Sequence, residues 1–284
     1  MHQLKIFIEL TRLNKPIGFM LLFWPCSWGL AYAYINNQDI NLFISYLILF
    51  FLGSVLMRSA GCIVNDIVDK DFDIRVSRTK ERPIASGKVS TKQAITYITL
   101  LCSLAFIILI QFNFFTIILG MSSMLLAFTY PFMKRFTYWP QLFLGLTFNW
   151  GIIMAWAAVN NNISIEPIIL YIAAIFWTLG YDTIYGAQDM ADDEIIGLKS
   201  TSIKFKKNIK VFVSISYLIT CVLLAYLFFE NLGINIFSIF LCLSILSLFF
   251  QVFKFNKNIP ETCLFSFKIN NLSGLLLFFS ILAI

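Results

Sequence analysis

More than half of the chain's fifteen acidic residues fall in two short segments. The first is Asn65-Asp-Ile-Val-Asp69-Lys-Asp-Phe-Asp73, and the second is Tyr185-Gly-Ala-Gln-Asp189-Met-Ala-Asp-Asp193-Glu194. Asn65, Asp69 and Asp73 recur every four residues, and so do Tyr185, Asp189 and Asp193. On a helix that spacing lines one face. Each segment runs into basic residues: Arg75, Arg78, Lys80 and Arg82 after the first, Lys199 after the second. Facing carboxylates hold hard cations. Mg²⁺ takes oxygen ligands and is usually held by one or two carboxylates together with substrate phosphates. Two such ions between the acidic faces would bind a diphosphate, and nearby Arg and Lys would neutralise the rest and stabilise a leaving group. A lone Asp-x-x-x-Asp beside a basic loop reads as a solvated helix end. Two matched segments point to a shared ligand.

The elements that position these acids are membrane spans. The 284 residues are 59% hydrophobic, 17% aromatic and 13% charged, with 31 Phe. Mean hydropathy is +0.82. Soluble domains carry roughly 25% charged residues, and disordered chains have low hydrophobicity, so both classes are excluded. A membrane helix needs about 20 apolar residues. The apolar runs predict nine spans near 16–35, 42–66, 93–111, 113–131, 140–159, 167–187, 211–229, 233–253 and 268–284. Their continuity does not fit the alternation of an outer-membrane barrel. Twenty of the twenty-one Lys and Arg lie in the N-terminal tail or in the 67–92, 132–139, 188–210 and 254–268 segments, and the intervening loops have none. Basic residues collect in inner loops. The pattern predicts an inner N-terminus and an outer C-terminus, and it sets both acidic segments at one membrane surface, four spans apart on helices pointing the same way. That spacing reads as a distant internal repeat. The chain is expected to form one domain over 1–284.

Arg58 is the remaining basic residue and lies inside the second span. An intramembrane cation needs an acidic partner or an anion. Arg58 precedes Asn65 by seven residues, as Asp182 precedes Asp189. Either Arg58 pairs with Asp182 or it binds an anionic group of a second substrate, and Arg12 could join it there. Tyr130, Trp156, Trp177, Tyr181 and Tyr185 are aromatic residues able to shelter a cation, although most Phe-rich positions serve packing or lipid contact. The six cysteines form no Cys-x-x-Cys pair and His2 is the sole histidine, so zinc or bis-His haem chemistry is not expected. The net charge of +6 suits anionic headgroups and anionic substrates; nucleic acid is not expected as a partner.

The chain resembles the UbiA superfamily of intramembrane prenyltransferases, and within it the bacterial branch that prenylates 4-hydroxybenzoate for ubiquinone. The resemblance runs nearly end to end. It rests on Arg12-Leu-Asn-Lys-Pro-Ile-Gly18 leading to Trp24-Pro25, on Met57-Arg58-Ser-Ala-Gly61-Cys62, and on Asn65-Asp66-x-x-Asp69-x-x-x-Asp73. It continues through Arg78-Thr-x-x-Arg82-Pro-Ile-Ala-Ser-Gly87, Tyr130-Pro-Phe-Met-Lys134-Arg135, Tyr181-Asp182-Thr-x-Tyr185 with Asp189 and Asp193, and Gly197-x-Lys199-Ser-Thr201. Gly186 stands where the pattern leads one to expect Ala.

The resemblance implies an all-α bundle of nine helices around a central cavity, capped on the cytoplasmic side by the 67–92 and 188–210 loops. It implies Mg²⁺, a polyprenyl diphosphate and an aromatic acid as partners. Asn65, Asp69, Asp73, Asp189 and Asp193 correspond to the metal–diphosphate set. Arg78, Arg82, Lys88, Lys134, Arg135 and Lys199 would assist the diphosphate, Lys88 and Arg82 foremost, with Tyr130 and Tyr185 near the substrates. Arg12 and Arg58 are candidates for the aromatic carboxylate, and Asp182 for a helper near the phenol or the cation. The expected reaction is electrophilic substitution ortho to the phenol hydroxyl. Other acceptors (a dihydroxynaphthoate, homogentisate) within the family, and a cation transporter outside it, are the competing readings. The charge pattern, with no Arg-rich leader before the first span, leads to the expectation of a bacterial inner membrane with the site facing the cytoplasm.

Overall fold

In lipid a backbone must satisfy its own hydrogen bonds, and helices do this within one segment. A computed structural model describes residues 2–76 and 79–284, and the regular structure among them is helical throughout. After α1 (His2–Thr11), nine helical spans among the described residues are long and apolar enough to cross a membrane. They are α2 (Ile17–Asn37), α3 (Ile40–Val68), α4 (Thr91–Leu109), α5 (Phe114–Phe136), α6 (Pro140–Asn160), α7 (Ile165–Gly186), α8 (Ile209–Leu227), α9 (Ile236–Lys254) and α10 (Pro260–Leu282).

The nine-span expectation holds, with two corrections at the ends. The last span starts at Pro260, a residue preorganised for the first helical turn, so Lys268 lies inside α10 and not in a basic loop. Lys134 and Arg135 sit on a helical extension of α5, Met133–Phe136, which follows a 3₁₀ turn at Tyr130–Phe132.

Side chains such as Leu100, Phe114, Leu125 and Phe253 face outward and are exposed, as suits a lipid-facing surface. Between helices the ties are small residues and polar side chains, the usual glue of membrane bundles. At Gly29 a methyl group would come 2.5 Å from the Ile152 carbonyl oxygen, so α2 and α6 can approach this closely only through glycine. Asn270 of α10 accepts from Trp177 Nε1 at 2.8 Å and donates to Gln251 Oε1 at 2.9 Å, and Gln251 accepts from the Tyr217 hydroxyl at 2.6 Å. Those bonds bind α7, α8, α9 and α10 into one wall. The α6 span breaks at Asn149, whose amide donates to Gly145 O at 2.7 Å, Ala174 O at 3.1 Å and Thr178 Oγ1 at 2.8 Å.

Candidate functional site

Both acidic segments sit where a span ends, and each breaks at its middle acid. The α3 helix stops at Val68, Asp69 occupies the junction at φ −95°, ψ 2°, and a short helix runs from Lys70 to Asp73. The α7 helix stops at Gly186, Asp189 occupies the junction at φ −105°, ψ 4°, and a short helix runs from Met190 to Ile195. The four-residue register survives each kink: Asp73 N–H donates to Asp69 O, and Asp193 N–H to Asp189 O, both at 2.8 Å. Two segments with little sequence in common thus turn the same corner at the same place, as a repeat would.

Asn65, Asp69, Asp73, Asp182, Tyr185, Asp189 and Asp193 all line a single cavity of about 2030 Å³, together with Arg12, Arg58, Arg82, Lys88, Tyr130 and Lys134. Cations already occupy part of the first acidic row. Lys134 donates to Asp69 Oδ2, and Arg82 Nη1 donates to Asp73 Oδ2 at 2.8 Å. Asp69 is 1% exposed. Burial pushes its carboxyl above the ordinary carboxylate range, and Lys134 draws it part of the way back. Its Oδ1 is buried without a hydrogen-bond partner among the described residues.

That orphaned oxygen fits a metal ion that supplies the missing contact. Among the described residues no three acidic, His or Cys side chains converge to hold a metal by themselves. Carboxylates this dispersed suit an ion that arrives with phosphate oxygens and keeps water in its shell, which is the habit of Mg²⁺.

Arg58 lies about two turns deeper. Its guanidinium sits 5.4 Å from the Phe148 ring centre, and Nε is buried without a hydrogen-bond partner among the described residues. A methyl group on Gly18 would stand 3.1 Å from that Nε, so glycine leaves room for the side chain. The pairing with Asp182 weighed from sequence is not formed: ion pairs among the described residues do not include either side chain. They interact only at longer range. An aromatic wall stands beside them. Tyr185 packs on Phe267 at 4.5 Å between ring centres, and Tyr181 on Trp177 at 4.8 Å.

Three expected substrate contacts are placed differently. Arg12 is taken by Asp66, at 2.5 Å. Arg135 and Lys199 lie outside the cavity lining. Arg135 donates to Val68 O at 2.5 Å and lies over Phe72, so it ties α5 to the end of α3. Lys199 donates to Phe136 O at 3.3 Å and its backbone N–H to Lys134 O at 2.8 Å, so it ties the 187–200 segment to α5. A cation near the site does structural work when a nearby carbonyl reaches it first. Arg78 lies outside the described residues. Asp66, 2% exposed and paired with both Arg12 and Arg82, was not among the residues singled out by spacing. Its signal was being an acid one position off the four-residue row.

The model of the UbiA prenyltransferase family matches residues 22–274. Similar curated proteins include the 4-hydroxybenzoate polyprenyltransferases, mitochondrial, of Caenorhabditis elegans, Homo sapiens and Bos taurus. The nematode protein is 49% identical over 212 residues, 74% of this chain and 59% of that protein. The human protein is 45% identical over 214 residues, 74% of this chain and 57% of that protein. The bovine protein is 41% identical over 283 residues, 98% of this chain and 75% of that protein. The chain thus spans little more than half the length of several curated relatives it matches. Among solved structures, an apo UbiA homolog from Aeropyrum pernix K1 has TM-score 0.74 at 23% identity, covering 89% of this chain and 94% of that one. A UbiA homolog from Archaeoglobus fulgidus bound to GPP and Mg²⁺ has TM-score 0.71 at 18% identity, covering 98% of this chain and 100% of that one. These two likenesses concern the fold.

The relatives overturn the expected localisation. They are mitochondrial enzymes of eukaryotes, so the assignment to a bacterial inner membrane does not stand, while a multi-pass membrane protein does. Loop charge reports on which side of a membrane a segment lies; it does not distinguish one membrane from another.

Proposed function

This chain belongs to the UbiA prenyltransferase family, and from that premise we propose that it moves a polyprenyl group from polyprenyl diphosphate to 4-hydroxybenzoate. The new bond forms at the ring carbon ortho to the hydroxyl, and diphosphate leaves. The observation that carries this reading is one cavity joining two acidic segments to an arginine deeper in, which forms no ion pair among the described residues. The names of the curated relatives support the acceptor, and the Mg²⁺ and GPP in an archaeal homolog support the metal and donor. On the charge rule, the acidic end, the N-terminus and the cap formed by the 67–92 and 188–210 loops are placed on the inner face.

Asn65, Asp69, Asp73, Asp189 and Asp193 are the residues that would hold Mg²⁺ together with the diphosphate. Bound there, Mg²⁺ supplies positive charge that makes diphosphate a better leaving group. Lys134, Arg82 and Lys88 add charge-assisted hydrogen bonds to the same oxygens. The allylic C–O bond breaks with its electron pair leaving on diphosphate. The Tyr130, Tyr181 and Tyr185 side of the cavity shields the allylic cation from water and offers ring faces to it. Arg58 grips the acceptor carboxylate and so points the phenol toward the cation. The ring carbon forms the new C–C bond and then loses its proton, for which Asp182 is the assigned acceptor. Apolar residues of the cavity lining, Phe50 and Met124 among them, take the prenyl tail.

Two measurements test this. Given labelled prenyl diphosphate and a choice of 4-hydroxybenzoate, a dihydroxynaphthoate or homogentisate, the protein is expected to prenylate the first. Preference for another ring would keep the chemistry and move the acceptor assignment. Asp182→Asn is expected to slow turnover by about a hundredfold, the scale of one general base; full turnover in that variant would remove Asp182 from the proton step.

A further inference from the structure

An additional carboxylate at the end of a cavity that receives an anion is unfavourable unless something offsets it. Asp66 is such a carboxylate. It is 2% exposed and lies one residue off the row formed by Asn65, Asp69 and Asp73, about 100° around the helix from Asn65. A single oxygen, Oδ1, accepts from Arg12 Nη2 at 2.5 Å and from Arg82 Nη1 at 3.2 Å. Arg82 Nη1 also reaches Asp73 Oδ2 at 2.8 Å. The result is a chain of alternating charge: Arg12, Asp66, Arg82, Asp73.

We infer that Asp66 is a positioning residue that anchors Arg12 and Arg82 at the diphosphate end of the cavity. The inference rests on the diphosphate reading above. Among the described residues Arg82 has two carboxylate anchors, and one of them, Asp73, belongs to the set assigned to the metal. Once Asp73 is engaged there, Asp66 is the carboxylate among the described residues that still holds Arg82 in place, and the Arg12–Asp66–Arg82 group presents one net positive charge to the incoming phosphate oxygens. Lys134 is built differently, because its one carboxylate partner among the described residues is Asp69. Engagement of Asp69 frees Lys134 to turn toward the ligand, whereas Arg82 stays fixed. The site thus combines one mobile cation with one anchored cation.

A purely structural alternative exists. Arg12 ends α1 in a left-handed conformation, φ 56°, and its bond to Asp66 fastens α1 to α3. The experiment separates the two roles. The purified full chain with Mg²⁺ is titrated with a non-hydrolysable geranyl thiodiphosphate in the absence of acceptor, and steady-state constants are measured alongside. Asp66→Asn should weaken thiodiphosphate binding and raise the KM for prenyl diphosphate by about tenfold or more, with the acceptor KM unchanged. Asp71→Asn removes an equal charge from an exposed position in the same segment and should change neither. Arg12→Gln cuts the α1 tie yet leaves Asp66 holding Arg82, so it should weaken binding less than Asp66→Asn. If Asp66→Asn fails to fold, Asp66→Glu keeps the charge and displaces it by one methylene, and its binding should weaken in the same direction. Wild-type affinity in Asp66→Asn or Asp66→Glu would overturn the inference. So would Arg12→Gln reproducing the whole effect with an equal loss of thermal stability. Failure of the wild-type protein itself to bind would overturn the diphosphate reading, and this inference with it.

Discussion

Asp69→Asn is expected to lower prenyl transfer by about a hundredfold or more, the scale seen when one preorganised electrostatic contact is removed, and to leave the protein folded. The side chain is 1% exposed, one oxygen is held by Lys134 and the other has no hydrogen-bond partner among the described residues. A buried carboxylate kept this way weakens the fold. Its pKa is raised by burial, so the protonated form favours the folded state and that contribution is lost as pH rises through the raised value. Above that raised value the ionised carboxylate therefore subtracts from stability. Asparagine keeps the shape and removes the buried charge. The variant should melt at no lower a temperature than wild type while losing activity, the trade expected of a residue kept for function. Steady-state transfer and a thermal melt of the same preparation check both halves. A variant that is active, or one that is inactive because it has unfolded, would contradict the role assigned to Asp69.

Arg58→Gln is expected to raise the KM for the aromatic acid and lower kcat/KM by about tenfold to a hundredfold, the value of one buried charge-assisted hydrogen bond. Donor binding should be unaffected. Arg58 sits inside α3 with Nε unbonded, its ring neighbour Phe148 offers only cation–π attraction, and Asp182 is not in ion-pair contact. Arg12, the other candidate for the same carboxylate, already has Asp66 at 2.5 Å. Of the two arginines, Arg58 is the one with no acid in ion-pair contact among the described residues. An acceptor lacking its carboxylate should react equally poorly with wild type and variant. An Arg58→Gln enzyme whose loss falls on the prenyl diphosphate KM would place Arg58 with the donor instead.

The bundle was legible because its signals are local. Apolar run length and the alternation of basic loops need no tertiary knowledge, and they located the nine spans. The misplaced start of α10 has a local cause too: Lys268 reads as the end of a loop, yet a long cation is tolerated within a span because its stem packs while its head reaches a polar region. The four-residue acidic spacing was equally legible, although it gave no sign that both segments kink at Asp69 and Asp189. What the sequence withheld is pairing across distance. Lys134 meets Asp69 across 65 residues and Arg12 meets Asp66 across 54. Cations at the edge of a site can face the cavity, as Lys88 does, or a backbone carbonyl, as Arg135 and Lys199 do. Residue type alone does not separate these outcomes: the acids of both rows line one cavity, whereas Arg135 and Lys199 turn to backbone carbonyls.

The most direct test of the central claim is transfer of labelled prenyl diphosphate to 4-hydroxybenzoate by the purified protein in lipid, with Mg²⁺ and again with the metal removed by chelation. Prenylated hydroxybenzoate formed with Mg²⁺, lost on chelation and restored by adding Mg²⁺ back is the predicted result. Prenyl transfer at the same rate after chelation, or none to any aromatic ring from folded protein with intact donor, would contradict it.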